Sequence, residues 1–152
     1  VLAGWGGVWD IATGVLAHKG RAVENISRLL VFKIGGTAKL APPPPSAKRV
    51  LDPPPFLGKG EQVAAGASAY GRYCSVCHGD AAVAGGLNPD LRHSATLGDA
   101  ETMQKIVYEG ALSQGGGNGM VSFRSALKPA DVENIRQYLI KRANEDKALE
   151  GK

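Results

Sequence analysis

The stretch Cys74-Ser75-Val76-Cys77-His78 constrains this chain of 152 residues more than any other part of its sequence. It has the form CxxCH, which is the attachment motif of a c-type haem. The two-residue gap gives the cysteine sulfurs the spacing of the two porphyrin vinyl groups, and the following histidine is placed to ligate the iron. The motif therefore predicts one covalent haem c held by Cys74, Cys77 and His78.

Other interpretations of a CxxC pair are a chance occurrence, a thioredoxin-type redox dithiol or half of a zinc site. The chain has only two cysteines, and His18 and His93 have no partner at metal-finger spacing. These alternatives are therefore weaker than the haem interpretation. Because bacteria attach haem to CxxCH outside the cytoplasm, we expect a periplasmic location. The sequence has no apolar run long enough to span a membrane.

Basic residues are concentrated away from the haem motif. Residues 1–60 carry eight Lys or Arg against three Asp or Glu, whereas residues 61–152 carry ten against eleven. The part with the motif is therefore nearly neutral, and it lacks a basic stripe interleaved with aromatic residues. This distribution argues against nucleic acid as a partner.

A proline-rich segment divides the chain. Seven of its nine prolines lie between Pro42 and Pro55, which predicts either a semi-rigid polyproline II spacer or a disordered tether. We therefore divide the chain into residues 1–40, a linker over 41–57 and a haem domain over 58–152. The first unit contains one predicted strand, Arg28 to Ile34, before Gly35-Gly36, and it is too short to fold alone.

The haem unit has the pattern of a helical domain. Apolar residues spaced by three or four run from Val63 to Cys77 and predict a first helix leading into the motif. A second helix is predicted from the N-cap Asp99 to Gly110, with Met103, Ile106 and Val107 buried. A third begins near Pro129, which suits a first helical position, with Asp131 in the first turn, and it buries Val132, Ile135, Tyr138 and Leu139.

Residues 61–152 resemble a class I cytochrome c, whose fold is mainly α with three main helices around the haem. Gly66 and Tyr70 match the first-helix pair of that family, and Ile135 and Tyr138 match the last-helix pair. The resemblance implies that the Pro89 carbonyl accepts a hydrogen bond from the proximal histidine, which fixes its tautomer and raises its basicity. In Leu87-Asn88-Pro89-Asp90-Leu91-Arg92 it also implies Leu91 as a haem wall and Arg92 as a propionate partner.

The sixth iron ligand has four candidates, which are Met120, Met103, His93 and His18. Met103 lies on a predicted apolar helix stripe, where methionine usually fills the core. Met120 lies in a glycine-rich loop from Gly115 to Phe123, which brings backbone close to a flat cofactor. The family commonly has Gly-Met-Pro-x-Phe here, so Met120 and Phe123 match it, although Val121 replaces the proline. We therefore predict Met120 as the sixth ligand and Phe123 as a haem contact.

A narrower resemblance covers both units. The whole chain is similar to the C-terminal part of soluble type II quinohaemoprotein alcohol dehydrogenases, relatives of lupanine hydroxylase. It rests on Gly4-Trp5-Gly6-Gly7, the stretch Leu29 to Gly36, the proline linker, and Tyr73-Cys74 through Arg92. The resemblance implies that residues 1–40 end a β-propeller whose pyrroloquinoline quinone (PQQ), calcium and catalytic base lie upstream. No catalytic residue can be assigned on this chain itself.

These observations favour an electron-transfer function. The haem would accept electrons from the PQQ of an alcohol dehydrogenase, through a propeller domain in the same parent chain, and pass them to a small soluble redox protein. The chain alone carries no substrate site, so whether it is an enzyme depends on that parent. The alternatives are a free-standing periplasmic cytochrome c carrier and a haem peroxidase-type enzyme with an open sixth position.

Overall fold

Helices form most of the described part of the chain. The computed structural model describes residues 2–3, 28–29, 32–39, 50–84, 88–111 and 119–150. Its helices are α1 (Gly60–Tyr73), α2 (Ser75–His78), α3 (Ala100–Glu109) and α4 (Pro129–Glu150). Short 3-10 helices lie between α2 and α3, at Asp80–Ala82, Leu91–His93 and Ala95–Gly98. The predicted mainly α class, with three main helices, is confirmed.

The crossing of α1 over α4 is the central contact of the fold. At Gly66 the two backbones approach so closely that an added Cβ would lie 1.9 Å from the Asn134 carbonyl oxygen. One turn further along α1, the Tyr70 ring lies 5.3 Å from the Tyr138 ring, centroid to centroid. The predicted pairing of the first and last helices is therefore confirmed, and it depends on a residue without a side chain.

Local signals define the ends of α3 and α4 as the sequence predicts. The Asp99 side chain accepts a hydrogen bond from the Thr102 amide at the start of α3, which is the expected N-cap geometry. Gly110 ends that helix with a φ of +79°. At the start of α4, the Lys128 amide donates to an Asp131 carboxylate oxygen at 2.9 Å.

The core lies between α1, α3 and α4. Its buried side chains are Tyr70, Ala82, Leu97, Met103, Val107, Leu127, Val132, Ile135, Leu139, Ile140 and Ala143. Met103 is 6 % exposed and Val107 is 7 % exposed, so the predicted inner face of α3 is confirmed for both residues, while Ile106 is only half-buried. This core fixes the loops that carry the candidate site.

Residues 51–58, which we call the strap, pack along α4 instead of leaving the domain. Leu51 is fully buried and Phe56 packs against the core. Asn144 Nδ2 donates to the Pro54 carbonyl at 2.9 Å, and Lys147 Nζ lies 3.0 Å from an Asp52 carboxylate oxygen. The strap therefore belongs to the packed unit, so packing begins at or before Leu51 and not at the expected residue 58.

The N-terminal unit shows little regular structure in its described part. Strands β1 (Leu2–Ala3) and β2 (Arg28–Leu29) pair antiparallel, with Leu2 opposite Leu29. Phe32 and Ile34 are largely exposed, and a turn closes where the Gly36 amide donates to the Lys33 carbonyl. The strand predicted over 28–34 is thus wrong beyond Leu29 for the residues described there.

Several expectations lie outside the described residues, including those on Gly4-Trp5-Gly6-Gly7, His18, the Pro42–Pro45 run, Leu87 and Gly115–Asn118. Among the helices of the described residues, none has the length and apolar character needed to cross a membrane.

Candidate haem-attachment site

The CxxCH motif lies at the junction of α1 and α2. The Cys74 amide still donates to the Tyr70 carbonyl, and the His78 amide donates back to the Cys74 carbonyl at 2.9 Å. Cys74 is half-buried against the core, whereas Cys77 is exposed. This turn holds Cys74, Cys77 and His78 within one short helical segment that is fixed on its inner side.

The His78 ring is oriented by a carbonyl eleven residues away. Its Nδ1 lies 2.8 Å from the Pro89 carbonyl oxygen. Since a carbonyl only accepts hydrogen bonds, Nδ1 carries the proton and Nε2 is left with its lone pair. A histidine held in this way is prepared to ligate a metal through Nε2, as expected from the sequence.

The residue after His78 must be a glycine. Gly79 has a φ of +78°, and a Cβ there would lie 1.9 Å from the Val83 carbonyl oxygen. The buried Tyr70 hydroxyl donates to the Gly79 carbonyl at 2.7 Å. Burial, together with the neighbouring Cys74, raises the Tyr70 pKa, so this hydroxyl keeps its proton. Tyr70 therefore anchors the chain directly after His78, a role that sequence reasoning missed.

Cys74 does not have the electrostatics of a reactive redox cysteine. Burial, followed by the proximity of Cys77, raises the pKa of the Cys74 thiol to about 11, whereas reactive dithiols have lowered pKa values. Within the residues that the structure describes, no group of three or more His, Cys, Asp or Glu forms a metal site. Neither the dithiol nor the zinc interpretation gains support.

Met120 lies in a loop tied to the end of α3. The Ala111 amide donates to the Met120 carbonyl at 3.0 Å, and the Phe123 amide donates to the Val107 carbonyl at 2.9 Å. Between them, the Ser122 hydroxyl donates to the Tyr108 carbonyl. These hydrogen bonds hold the loop around Val121. Class I cytochromes c commonly have a proline at this position.

Several candidate site residues pack against one hydrophobic core. The partly buried side chains of Cys74, Leu91, Met120 and Phe123 all pack against the same hydrophobic cluster. Tyr73, directly before the motif, joins them, because its ring lies edge-on to Phe123 with 6.2 Å between centroids. The structure thus places residues from three separate segments against one core, and the Tyr73–Phe123 ring contact, which the sequence did not single out, joins two of these segments.

Arg92 is placed differently from the expectation. It is 3 % exposed, and its Nε and Nη2 donate to the two Asp90 carboxylate oxygens at 3.0 and 2.6 Å. Its Nη1 donates to Asp146 at 2.8 Å. Burial alone would lower the Arg92 pKa, but these two carboxylates raise it. The Arg92 guanidinium is therefore bound to protein carboxylates in this structure, and its role towards a haem propionate stays a prediction.

The other sixth-ligand candidates occupy different positions. Met103 is buried on α3, as expected for a core residue. His93 ends the 3-10 helix after Pro89, where it has a bonding partner, and it is half-buried. The grooves of the described residues include one of about 220 Å³, lined by Gly110, Ala111, Gly119 and Met120 among others, and one of about 550 Å³ between α3 and α4. Of the two, only the smaller involves a predicted site residue.

The residues present fit a covalently attached haem. Both cysteines are free thiols, and His78 Nδ1 is already engaged, which leaves Nε2 for iron. The neighbouring Leu91, Tyr73 and Phe123 supply the apolar and aromatic surface that a porphyrin needs. The His78 imidazole, together with a thioether such as that of Met120, would give the donor set of a c-type cytochrome.

Comparison with known proteins places the chain in a family. The family model described as cytochrome c oxidase, cbb3-type, subunit III matches residues 61–139. The chain belongs to this cytochrome c family. The match begins in α1 and ends in α4, so it includes the CxxCH motif, the Pro89 segment and Met120.

The chain is similar to one part of several larger dehydrogenases. The chain is 45 % identical over 147 residues to quinohemoprotein alcohol dehydrogenase ADH IIB of Pseudomonas putida. It is 35 % identical over 145 residues to the dehydrogenase subunit of alcohol dehydrogenase (quinone) of Gluconobacter oxydans strain 621H. The alignments cover 96 % and 95 % of this chain but only 21 % and 19 % of those proteins.

A solved structure also shows similarity to a dehydrogenase of this kind. Quinohemoprotein alcohol dehydrogenase ADHIIG from Pseudomonas putida HK5 aligns with a TM-score of 0.69 at 38 % identity, over 95 % of this chain and 20 % of that one. The chain spans about a fifth of the length of the relatives that it matches. The predicted relationship to quinohaemoprotein alcohol dehydrogenases is confirmed.

Proposed function

We propose that this chain is an electron-transfer module with one haem c, bound through thioethers to Cys74 and Cys77 and ligated by His78. The observation that carries the proposal is the hydrogen bond between His78 Nδ1 and the Pro89 carbonyl at 2.8 Å. This bond fixes the tautomer and orientation that an axial histidine needs, directly beside two free cysteines at the attachment spacing.

Met120 is proposed as the second axial ligand. Its loop is tied to α3 by backbone hydrogen bonds at Ala111 and Phe123, and its side chain packs on the same cluster as Cys74. A His/Met pair gives a haem a relatively high reduction potential, and this closed coordination suits electron transfer better than peroxide chemistry. The bound haem would supply a one-electron ferric–ferrous couple, and the chain would supply ligation, burial and access.

The wider context is proposed from the relatives. Because the similar proteins are quinohemoprotein alcohol dehydrogenases about five times as long, we place this module after a propeller domain with PQQ and calcium. Residues 1–40 would complete that domain, and residues 41–50 would connect the two. Reduced quinone would be the electron donor, a small soluble redox protein the acceptor, and the periplasm the location.

A redox cycle tests this proposal. The haem-loaded chain is mixed first with a chemically reduced quinone and then with an oxidised soluble cytochrome c, and the haem α-band is followed by stopped-flow absorbance. We expect rapid reduction in the first step and full reoxidation in the second. The Met120→Ala variant, with an opened coordination site, is compared for peroxide turnover.

Two results would contradict the proposal. A haem that is not reoxidised by a protein acceptor would argue against a carrier function. Peroxide turnover by the unmodified holoprotein at a rate similar to that of Met120→Ala would mean that the sixth position is open, and would favour an enzymatic function instead.

A further inference from the structure

A cluster of four charged residues joins α4 to the loops that follow His78. It consists of Asp90, Arg92, Arg142 and Asp146, and we call it the charge cluster. Arg92 donates through Nε and Nη2 to Asp90 and through Nη1 to Asp146. Arg142 Nη2 lies 2.9 and 3.0 Å from the two Asp146 carboxylate oxygens. Asp146 therefore bridges two guanidinium groups.

The charge cluster contacts the segment that orients the His78 ring and a second segment that follows His78 in the chain. Asp90 directly follows Pro89, whose carbonyl accepts the hydrogen bond from His78. On the other side, Arg142 Nε donates to the Ala81 carbonyl at 3.4 Å, three residues after His78. Ala81 itself has a φ of 53°, a conformation that costs energy for an alanine and needs support from its surroundings. Arg142 and Asp146, one turn apart on α4, thus contact the segment at Ala81 directly and the segment at Asp90 through Arg92.

Because the charge cluster is largely buried, the loss of one of its contacts should be costly. Asp90, Arg92 and Asp146 are 5, 3 and 8 % exposed, so water cannot replace a lost partner. Removing one member of a buried charged network leaves another charge uncompensated, and the nearby backbone must then rearrange. Because Asp90 is adjacent to Pro89, that rearrangement would act on the carbonyl that holds His78.

We propose that Asp146 is a positioning residue for the axial histidine. Through Arg92 and Asp90 it fixes the Pro89 carbonyl, and through Arg142 it fixes the segment at Ala81, so that the His78 ring keeps one orientation. The inference rests on the proposed function, since it assumes that His78 ligates the haem iron. Asp146, near the end of α4, would thus determine the orientation of the axial ligand His78.

The test replaces Asp146 by asparagine in the haem-loaded protein. Asp146→Asn keeps the side-chain shape but removes the charge that holds both arginines. The matched control is Glu145→Gln on the same turn, because Glu145 also pairs with Arg142 but has no bond to Arg92. Both variants lose one negative charge, so a difference between them isolates the bridge to Arg92.

The readout is the His78 Nδ1–H proton of the ferrous protein, followed by NMR. In Asp146→Asn we expect its exchange with solvent to accelerate about tenfold, by analogy with the roughly 10–100-fold losses in metal affinity or activity that follow removal of an outer partner of a metal ligand. The reduction potential should rise further than in Glu145→Gln, because a more weakly held imidazole is less basic. Arg142→Gln, which alters the more exposed side of the cluster, should show a smaller acceleration.

The outcomes separate this inference from the proposed function. Failure of the unmodified protein to hold haem through His78 would refute the proposed function. Normal haem ligation, with equal exchange rates and potentials in Asp146→Asn and Glu145→Gln, would instead refute the positioning role alone. If Asp146→Asn does not fold, unchanged exchange in Arg142→Gln would refute that role as well.

Discussion

Gly66 is the position where a single added methyl group should disturb the fold most directly. In Gly66→Ala, the new Cβ would lie 1.9 Å from the Asn134 carbonyl oxygen and 3.0 Å from the Ile135 nitrogen. Both atoms belong to the backbone of α4, so no side-chain rotation can relieve the overlap. The two helices must separate by more than an ångström, which loosens the Tyr70–Tyr138 contact one turn away.

The expected loss of stability in Gly66→Ala is the difference between two opposing effects. Overpacking of a dense core costs about 1–3 kcal/mol, and a clash with rigid backbone belongs at the upper end. Replacing glycine by alanine inside a helix stabilises that helix by about 1 kcal/mol at most. We therefore expect the free energy of unfolding of the haem-loaded protein to fall by about 2 kcal/mol, measured by denaturant titration with circular dichroism.

Gly71→Ala is the matched control for this prediction. Gly71 lies on the same helix, and a Cβ there would meet no atom within 4 Å. This variant should be as stable as the unmodified protein or more stable by about 0.5–1 kcal/mol, from helix propensity alone. Equal stability of Gly66→Ala and Gly71→Ala would refute the close helix crossing.

Two further predictions concern the candidate ligands and the strap. Met120→Ala should abolish the weak red charge-transfer band of the ferric haem and lower the reduction potential of the haem. Met103→Ala should keep the band and lower the free energy of unfolding by about 2–5 kcal/mol, as a core truncation does. The opposite pattern would reassign the sixth ligand. A chain that begins at residue 50 should keep the thermal transition of the full chain, whereas one that begins at residue 59 loses the strap with the buried Leu51 and should melt at a lower temperature. Identical melting of the two truncated chains would mean that the strap adds no stability.

The sequence was most informative where the signals were local. Asp99 as an N-cap, Gly110 as a helix end and Pro129 as a helix start each depend on residues within one turn, and all three agree with the structure. The motif and its downstream proline were also recognisable, because the spacing in CxxCH is set by the cofactor. The pairing of Gly66 with α4 came from the family resemblance, and the structure supplies its physical reason.

Contacts between distant segments were not predictable in the same way. The sequence predicts a linker over 41–57, which includes most of the strap, because proline-rich sequence lacks helical or strand periodicity. The packing of the strap involves Asn144 and Lys147, some ninety residues later. The sequence predicts a propionate partner for Arg92 because a guanidinium matches a carboxylate, whereas the carboxylate of Asp146 that it contacts is 54 residues away. Nothing in the local pattern indicates which carboxylate a buried arginine will meet.

Covalent attachment of haem is the most direct test of the central claim. The chain is produced in cells with a cytochrome c maturation system, denatured, extracted with acidified acetone, and analysed by intact mass. We predict that the protein retains the mass of one haem, and that a Cys74→Ala, Cys77→Ala double variant retains none. Complete loss of haem from the matured, unmodified protein on extraction would contradict the account.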